Sequence, residues 1–154
     1  MNDAARDRFD RLLQDVIDGL PPGVRALLDE IPVIVLDAPT PAMLSDLRRE
    51  GTLEPDADGS DLCGLHTGVA LTERSLEFEG GRLPDQVHLF RRGIISLALD
   101  EQAAAAWLNG SEADAATDTS ADEEVYEEIR ITLLHELGHH FGLDEDDLED
   151  LGYG

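Results

Sequence analysis

Two histidines and one glutamate near the end of the chain have the spacing of metal-binding side chains. The segment His135-Glu136-Leu137-Gly138-His139 places two imidazoles four residues apart. On an α-helix such residues project from one face, about one turn from each other, and can bind a single tetrahedral Zn²⁺. Glu136, rotated by about 100° from His135 around the helix, can reach a metal-activated water without being a ligand. The pattern predicts His135 and His139 as metal ligands and Glu136 as the catalytic base.

The pattern is specific, although a purely structural interpretation of the histidines stays open. From the composition of the chain, His-Glu-x-x-His is expected by chance roughly 0.015 times, so its presence favours metal chemistry. The alternative is that His135 and His139 only line a helix end, where cationic side chains are favoured. Gly142 favours the metal site, because it lets the chain reverse after the helix and return toward the metal.

A catalytic zinc site also needs a third protein ligand and an open position for water. The 15 residues after His139 are too few for a second helix that would return a distant glutamate, so we expect a local or an upstream ligand. Glu145 lies at position eleven counted from His135, where the metzincin pattern HExxHxxGxxH has its third histidine. The spacing favours Glu145 as the third ligand, with Asp144 as second choice. The later acidic residues are expected to be solvated: Asp146, Asp147, Glu149 and Asp150.

A long helix must position these side chains, and its start and its buried face are both visible in the sequence. Ser120 followed three residues later by Glu123 forms a capping box, which predicts that the helix begins there. Apolar residues then recur at four-residue spacing and form a stripe that can pack on a sheet: Val125, Ile129, Leu133 and Leu137.

The rest of the chain predicts an α/β fold. An amphipathic helix spans Asp3 to Leu20, a second short helix follows Pro21-Pro22, and a helical turn is expected at Met43 to Arg49. Short apolar segments between turn residues predict about four strands: Pro32–Asp37, Leu62–Thr72, Gln86–Arg91 and Gly93–Leu99. The last two are joined at Arg92-Gly93, which suits either a hairpin or a bulge in one bent strand.

The whole chain, residues 1–154, is expected to form a single domain. An apolar fraction of 42% is sufficient for one core in a chain of 154 residues. From Glu101 to Ala121 the chain is rich in Ala, Asp, Ser and Thr, which predicts a short helix followed by a mobile acidic loop at about 109–121. The role of this acidic segment does not follow from its composition.

The net charge of −24 excludes several classes of partner. An acidic protein repels phosphate backbones and anionic lipid, so we expect neither nucleic-acid binding by counterion release nor electrostatic attachment to a membrane. Much of the excess acid flanks the predicted metal helix, at Glu101 to Glu128 and at Asp144 to Asp150. Metal ions and a basic protein partner remain compatible with this charge.

Cysteine content and hydropathy indicate a cytoplasmic protein. Cys63 is the only cysteine, which excludes an intramolecular disulfide and predicts an ordinary small core residue. The charged start, Met1 to Asp10, lacks the apolar core of a secretory signal, and no stretch approaches the roughly 20 apolar residues of a membrane span. We therefore expect a soluble, intracellular protein.

The chain resembles the minimal zincin-like metallopeptidase family, small bacterial HExxH proteins described as zinc peptidases. The resemblance covers most of the chain, and its most specific piece is the terminal HELGHHFGLDEDDLEDLGY. Other matching segments are the amphipathic start Phe9 to Leu20, PVIVLDAPTP, GLHTGVALTER and LPDQVHLFRRGI. The family carries an acidic residue, commonly Asp, where this chain has Glu145, and the stretch Glu101 to Glu124 resembles an insertion.

The resemblance implies a compact α/β (α+β) fold in which a small mixed sheet packs against the HExxH helix. It also implies zinc ligation by His135 and His139 and a catalytic Glu136. In zincins an edge strand binds an extended peptide by strand addition, and the candidate here is Gly64 to Thr72. His66 and His88 are not assigned a role, because a lone histidine on a strand is more often a packing or surface residue.

The function expected from these observations is zinc-dependent hydrolysis of peptide bonds by a metal-activated water, with Glu136 as general base and a peptide or protein as substrate. Two alternatives stay open. One is a metal-containing binding module with little or no proteolytic activity that recognises a basic protein partner. The other is an acidic mimic of nucleic acid that occupies a basic protein's groove. Neither the substrate nor the oligomeric state follows from the sequence.

Overall fold

The computed structural model describes residues 1–67, 86–110 and 119–140 together with Asp146. Within these residues the chain forms six helices and three strands. In chain order they are α1 (Asp3–Gly19), α2 (Pro22–Leu28), β1 (Val33–Leu36), α3 (Pro41–Arg49), β2 (Gly64–Thr67), β3 (Gln86–Phe90), α4 (Arg91–Ala98), α5 (Glu101–Leu108) and α6 (Thr119–His140). The predicted α/β class is confirmed.

The strands form one mixed sheet in the order β1-β3-β2. Strand β1 runs parallel to β3, with Val33 opposite Val87. Strand β2 runs antiparallel to β3, with Gly64 opposite Leu89. The central strand is therefore β3, and β2 lies at one edge of the sheet that the described residues form.

The first three helices begin where local chemistry favours a helix start. The side chain of Asn2 accepts a hydrogen bond of 2.9 Å from the amide of Ala5 and caps α1. Thr40 caps α3 in the same way, accepting from the amide of Met43 at 3.2 Å. Helix α2 starts at Pro22, where the missing amide hydrogen costs nothing. The structure thus confirms the three helices predicted in this part of the chain.

One predicted strand is wrong. Residues 93–99 do not continue the sheet, because α4 begins at Arg91, directly after β3 ends at Phe90. The helix buries Ile94 and Ile95, two adjacent residues that a strand would turn to opposite faces, and leaves Leu97 64% exposed. A short apolar run fits a buried helix as well as a buried strand, so periodicity alone could not separate the two.

The core lies between one face of the sheet and the helices α1, α4 and α6. Every residue of the predicted stripe on α6 is at least 97% buried: Val125, Ile129, Leu133 and Leu137. They pack with Phe9 of α1, with Val87 and Leu89 of β3 and with Ile94 of α4. Since burial of each such side chain contributes about 1.5–3 kcal/mol, this contact holds α6 on the sheet.

Helix α6 begins at Thr119, one residue before the start predicted from the capping box. Of the acidic loop predicted at about 109–121, residues 111–118 lie outside the described residues, and Thr119 to Ala121 already belong to α6. The part of the predicted strand Leu62–Thr72 beyond Thr67 also lies outside them. None of the helices described, including the 22-residue α6, is long and apolar enough to cross a membrane.

Candidate metal centre

Helix α6 brings three potential donor side chains together near its end. The ligand atoms of His135, Glu136 and His139 all lie within 4.8 Å of one another. The two imidazole rings are 4.8 Å apart between centroids and meet at 79°, edge to face. Both histidines are half-buried, whereas Glu136 is only 8% exposed. The cluster is therefore partly exposed at the two histidines and buried at Glu136.

This donor set suits a zinc ion. Zinc binds imidazole nitrogen at about 2.0–2.1 Å, and two ligands of one tetrahedral ion are about 3.4 Å apart. The atoms of His135 and His139 lie close enough for side-chain rotation to reach that separation. Two nitrogen donors with an adjacent carboxylate match the preference of zinc for nitrogen and oxygen ligands.

The first turn of α6 is fixed to α1 and α5 by an ionic contact. A nitrogen of the Arg8 guanidinium lies 2.6 Å from Oδ1 of Asp122, and the indole Nε1 of Trp107 donates to the same oxygen at 3.1 Å. The Arg8 guanidinium also stacks over the Trp107 ring at 4.8 Å. The N-terminal end of α6 is thus anchored at Asp122, about three and a half turns before the donor cluster.

Strand β2 packs directly on the helix at the catalytic candidate. A Cβ built on Gly64 would lie 2.9 Å from Cγ of Glu136, 3.0 Å from Cγ2 of Thr132 and 3.1 Å from the carbonyl oxygen of His88. All three separations are shorter than ordinary contacts, so only glycine fits there without a shift of its neighbours. The edge strand and Glu136 are consequently in close contact.

Near Thr132, helix α6 carries a second acidic side chain, Glu128, and Cys63 lies close to these charges. The hydroxyl of Thr132 donates to Oε1 of Glu128 at 3.5 Å, and burial raises the pKa of the Glu128 carboxyl. Burial, together with the negative charges of Glu128 and Glu136, raises the pKa of the Cys63 thiol to about 12. Cys63 is half-buried against the core, as predicted, and remains a neutral thiol.

The two unassigned histidines differ in their placement. Val87 and Leu89 face the core that contains α6, so the alternation of side chains along β3 places His88 on the opposite face of the sheet. His88 is 5% exposed, and burial lowers the pKa of its imidazole. Because of this alternation, the sheet separates the His88 side chain from Glu136. His66 pairs with Val87 across β2 and β3.

The predicted third ligand is not tested by the structure. Glu145, the favoured residue, and Asp144, the second choice, both lie outside the described residues. Asp146, predicted to be solvated, is exposed. The described part of the site therefore consists of the two histidines and Glu136.

The sequence indicated Gly64 only as the start of the candidate edge strand, and its contact with Glu136 was not predicted. The contact of Arg8 and Trp107 with Asp122 was not predicted either. An isolated glycine in a strand is a signal of close backbone approach, but nothing in the sequence says which element approaches. Trp107 and Asp122 are separated by 15 residues and Arg8 lies on another helix, so only the packing of the three helices brings them together.

Comparison with models of protein families gives a match. A family model described as zincin-like metallopeptidase matches residues 28–108 and 113–154. The two matched segments cover most of the chain and include the whole donor cluster. Comparison with curated proteins gives no match.

Proposed function

Because the chain belongs to the zincin-like metallopeptidase family, we propose that it is a zinc-dependent peptidase whose active site is formed by His135, Glu136 and His139. The observation that carries the proposal is the close grouping of these three donors, within 4.8 Å, on one turn of a firmly packed helix. The fold supports it, since β2, an edge strand of the described sheet, lies against the Cγ of Glu136.

Each residue of the cluster receives a role from its chemistry and position. His135 and His139 would hold zinc through their imidazole nitrogens, and Glu145 is proposed as the third ligand, with Asp144 as second choice. Zinc bound there would act as a Lewis acid toward a water molecule and toward the scissile carbonyl. Glu136 would accept the proton of the attacking water and deliver it to the leaving amine.

The edge strand supplies a means of binding an extended peptide. The amide of Phe90 donates to the carbonyl of Cys63 at 2.8 Å, so in the antiparallel ladder the main-chain groups of Gly64 and His66 point away from β3. No described strand pairs with them on that side. A substrate peptide adding as a further strand would hydrogen-bond to these groups next to Glu136.

The test compares two adjacent histidines of α6. Wild-type protein, His139→Ala and His140→Ala are loaded with zinc and dialysed, and bound metal and hydrolysis of a mixture of unstructured peptides are measured. We expect about one zinc per chain in wild type and His140→Ala, and loss of both zinc and hydrolysis in His139→Ala. Zinc retention by His139→Ala, or peptide hydrolysis that survives its loss, would refute the proposal.

A second candidate function is supported by the charge of −24. In this alternative the protein is a metal-containing binding module that recognises a basic protein partner and has little or no proteolytic activity. Wild-type protein that binds zinc, hydrolyses none of the peptides and retains a basic partner at low but not at high salt would favour it. Hydrolysis that depends on the bound zinc favours the peptidase.

A further inference from the structure

The contact between β2 and α6 is closest at one residue that the proposed chemistry does not use. Gly64 lies against three atoms from two elements: Cγ of Glu136 and Cγ2 of Thr132 on α6, and the carbonyl oxygen of His88 on β3. Each lies 2.9–3.1 Å from the position a Cβ would take. The space that a side chain would need is therefore already filled.

The three neighbours differ in how far they can move. The carbonyl of His88 belongs to the central strand, and Thr132 is 95% buried, with its hydroxyl directed to Glu128 and its methyl beside Gly64. The Cγ of Glu136 is the nearest of the three atoms and turns about χ1 of its side chain. Cγ2 of Thr132 turns about χ1 as well, but that rotation would break the contact of the Thr132 hydroxyl with Glu128. A Cβ at position 64 would therefore displace Glu136 first.

We propose that Gly64 is a positioning residue for Glu136: its lack of a side chain lets the edge strand hold the glutamate stem against α6. The same residue presents its main-chain groups to the edge where a substrate peptide would add. Gly64 thus sets the distance between the bound peptide and the carboxylate that acts on it. This inference rests on the proposed peptidase function.

Gly64→Ala tests the role, with Gly23→Ala as a matched control because a Cβ at Gly23 meets nothing within 4 Å. We expect kcat to fall about 10–100-fold in Gly64→Ala, since a displacement near 1 Å can cost about 100-fold, while KM changes little. Zinc stoichiometry should stay at the wild-type value, because neither His135 nor His139 supplies any of the three atoms nearest to the new Cβ. Gly23→Ala should keep the wild-type kcat.

A second substitution separates positioning from simple destabilisation. Thr132→Ser removes the methyl group that lies 3.0 Å from the new Cβ, so the double variant Gly64→Ala with Thr132→Ser should recover part of the lost kcat. A purely structural role predicts the opposite, because Thr132→Ser removes buried apolar surface and lowers stability further. A kcat of the double variant below that of Gly64→Ala would overturn the proposal.

The affinity for a zinc-binding inhibitor can be measured without peptide hydrolysis. In zinc-loaded protein, the affinity for acetohydroxamic acid is measured in wild type, Gly64→Ala, Glu136→Gln and the variant that combines Gly64→Ala with Glu136→Gln. If Gly64 acts through Glu136, the two effects are not additive, and Gly64→Ala changes affinity little once Glu136 is replaced. Additive effects would contradict this.

A crystal structure of metal-free Gly64→Ala tests the positioning role of Gly64 even if the wild-type protein hydrolyses no peptide. We expect the Cγ of Glu136 to move away from β2 relative to wild type, with the backbones of β2 and α6 in place. Separation of β2 from α6 with Glu136 unmoved would refute the positioning role. Absence of zinc binding and hydrolysis in wild type, with Glu136 displaced in the variant, would refute the peptidase function alone.

Discussion

The indole Nε1 of Trp107 donates a 3.1 Å hydrogen bond to Oδ1 of Asp122, the acid that also pairs with Arg8. The bond links α5 to the first turn of α6, so the helix that carries the donor cluster is held at its start by a group on another helix. Asp122 also places a negative charge at the positive end of α6. One carboxylate therefore stabilises this helix in two ways.

Asp122→Ala should lower the free energy of unfolding by about 1.5–3 kcal/mol, because it removes a charged hydrogen-bond acceptor and leaves Arg8 largely buried without it. Urea unfolding followed by circular dichroism measures the change. Glu124→Ala, an exposed position on the same helix, is the control and should change stability by less than about 0.5 kcal/mol. Equal effects of the two variants would contradict the role of Asp122.

Asp37 makes stability depend on pH. Its carboxylate lies 2.7 Å from Arg6 and 3.1 Å from Arg91, and the hydrogen bond from Arg6 is the main cause that lowers the pKa of Asp37 below its ordinary value of 3.8. Because the folded state lowers this pKa, the contact stabilises the protein above pH 3.8 and is lost as pH falls through the lowered value.

Asp37→Asn should therefore reduce the free energy of unfolding at pH 7 by about 1–2 kcal/mol and by less near pH 2. Urea unfolding at both pH values measures the difference. Asp15→Asn, an exposed position on α1, is the control and should behave as wild type at both. A loss for Asp37→Asn that is as large at pH 2 as at pH 7 would contradict the ionic origin of the contact.

Gly93→Ala should be severely destabilising. A Cβ at Gly93 would overlap the backbone carbonyl of Leu62, and neither backbone can turn aside as a side chain can. We expect a loss of about 3 kcal/mol, at the upper end of overpacking effects, against almost no change for Gly23→Ala, where the added Cβ has open space. Thermal unfolding of the two variants tests this, and equal melting temperatures would contradict the close packing of α4 on residues 62–63.

Cys63 should react slowly with thiol reagents. Burial and the charges of Glu128 and Glu136 raise the pKa of its thiol from 9.0 to about 12, so the reactive thiolate at pH 8 is about 1,000-fold rarer in metal-free folded protein than in unfolded protein. Labelling by Ellman's reagent with and without urea measures the ratio. Labelling of folded protein at the unfolded rate would contradict the burial of Cys63.

The donor cluster could be predicted because it is local. His135, Glu136 and His139 are brought together by the helical period alone, and the buried stripe from Val125 to Leu137 fixed which face of the helix meets the sheet. Proline and capping residues likewise determined where the first three helices begin. Each of these features depends on residues within a few positions of one another.

The features that escaped prediction depend on distant contacts. Residues 93–99 are apolar enough for a strand, but residues 93–98 belong to α4, and Gly93 there packs against the backbone of Leu62, which is distant in the sequence. The contact of Gly64 with Glu136 joins residues 72 positions apart in the sequence. Such contacts follow from how the elements pack, which the local pattern of residues does not contain.

The most direct test of the peptidase function is the rate of peptide hydrolysis by zinc-loaded Glu136→Gln. The substitution keeps the shape of the side chain but removes its ability to accept a proton, so kcat/KM should fall at least about 100-fold while one zinc per chain is retained. Glu124→Gln, the same change at an exposed position of α6, should leave the rate unchanged. Hydrolysis by Glu136→Gln at the wild-type rate would contradict the role of Glu136 as the general base.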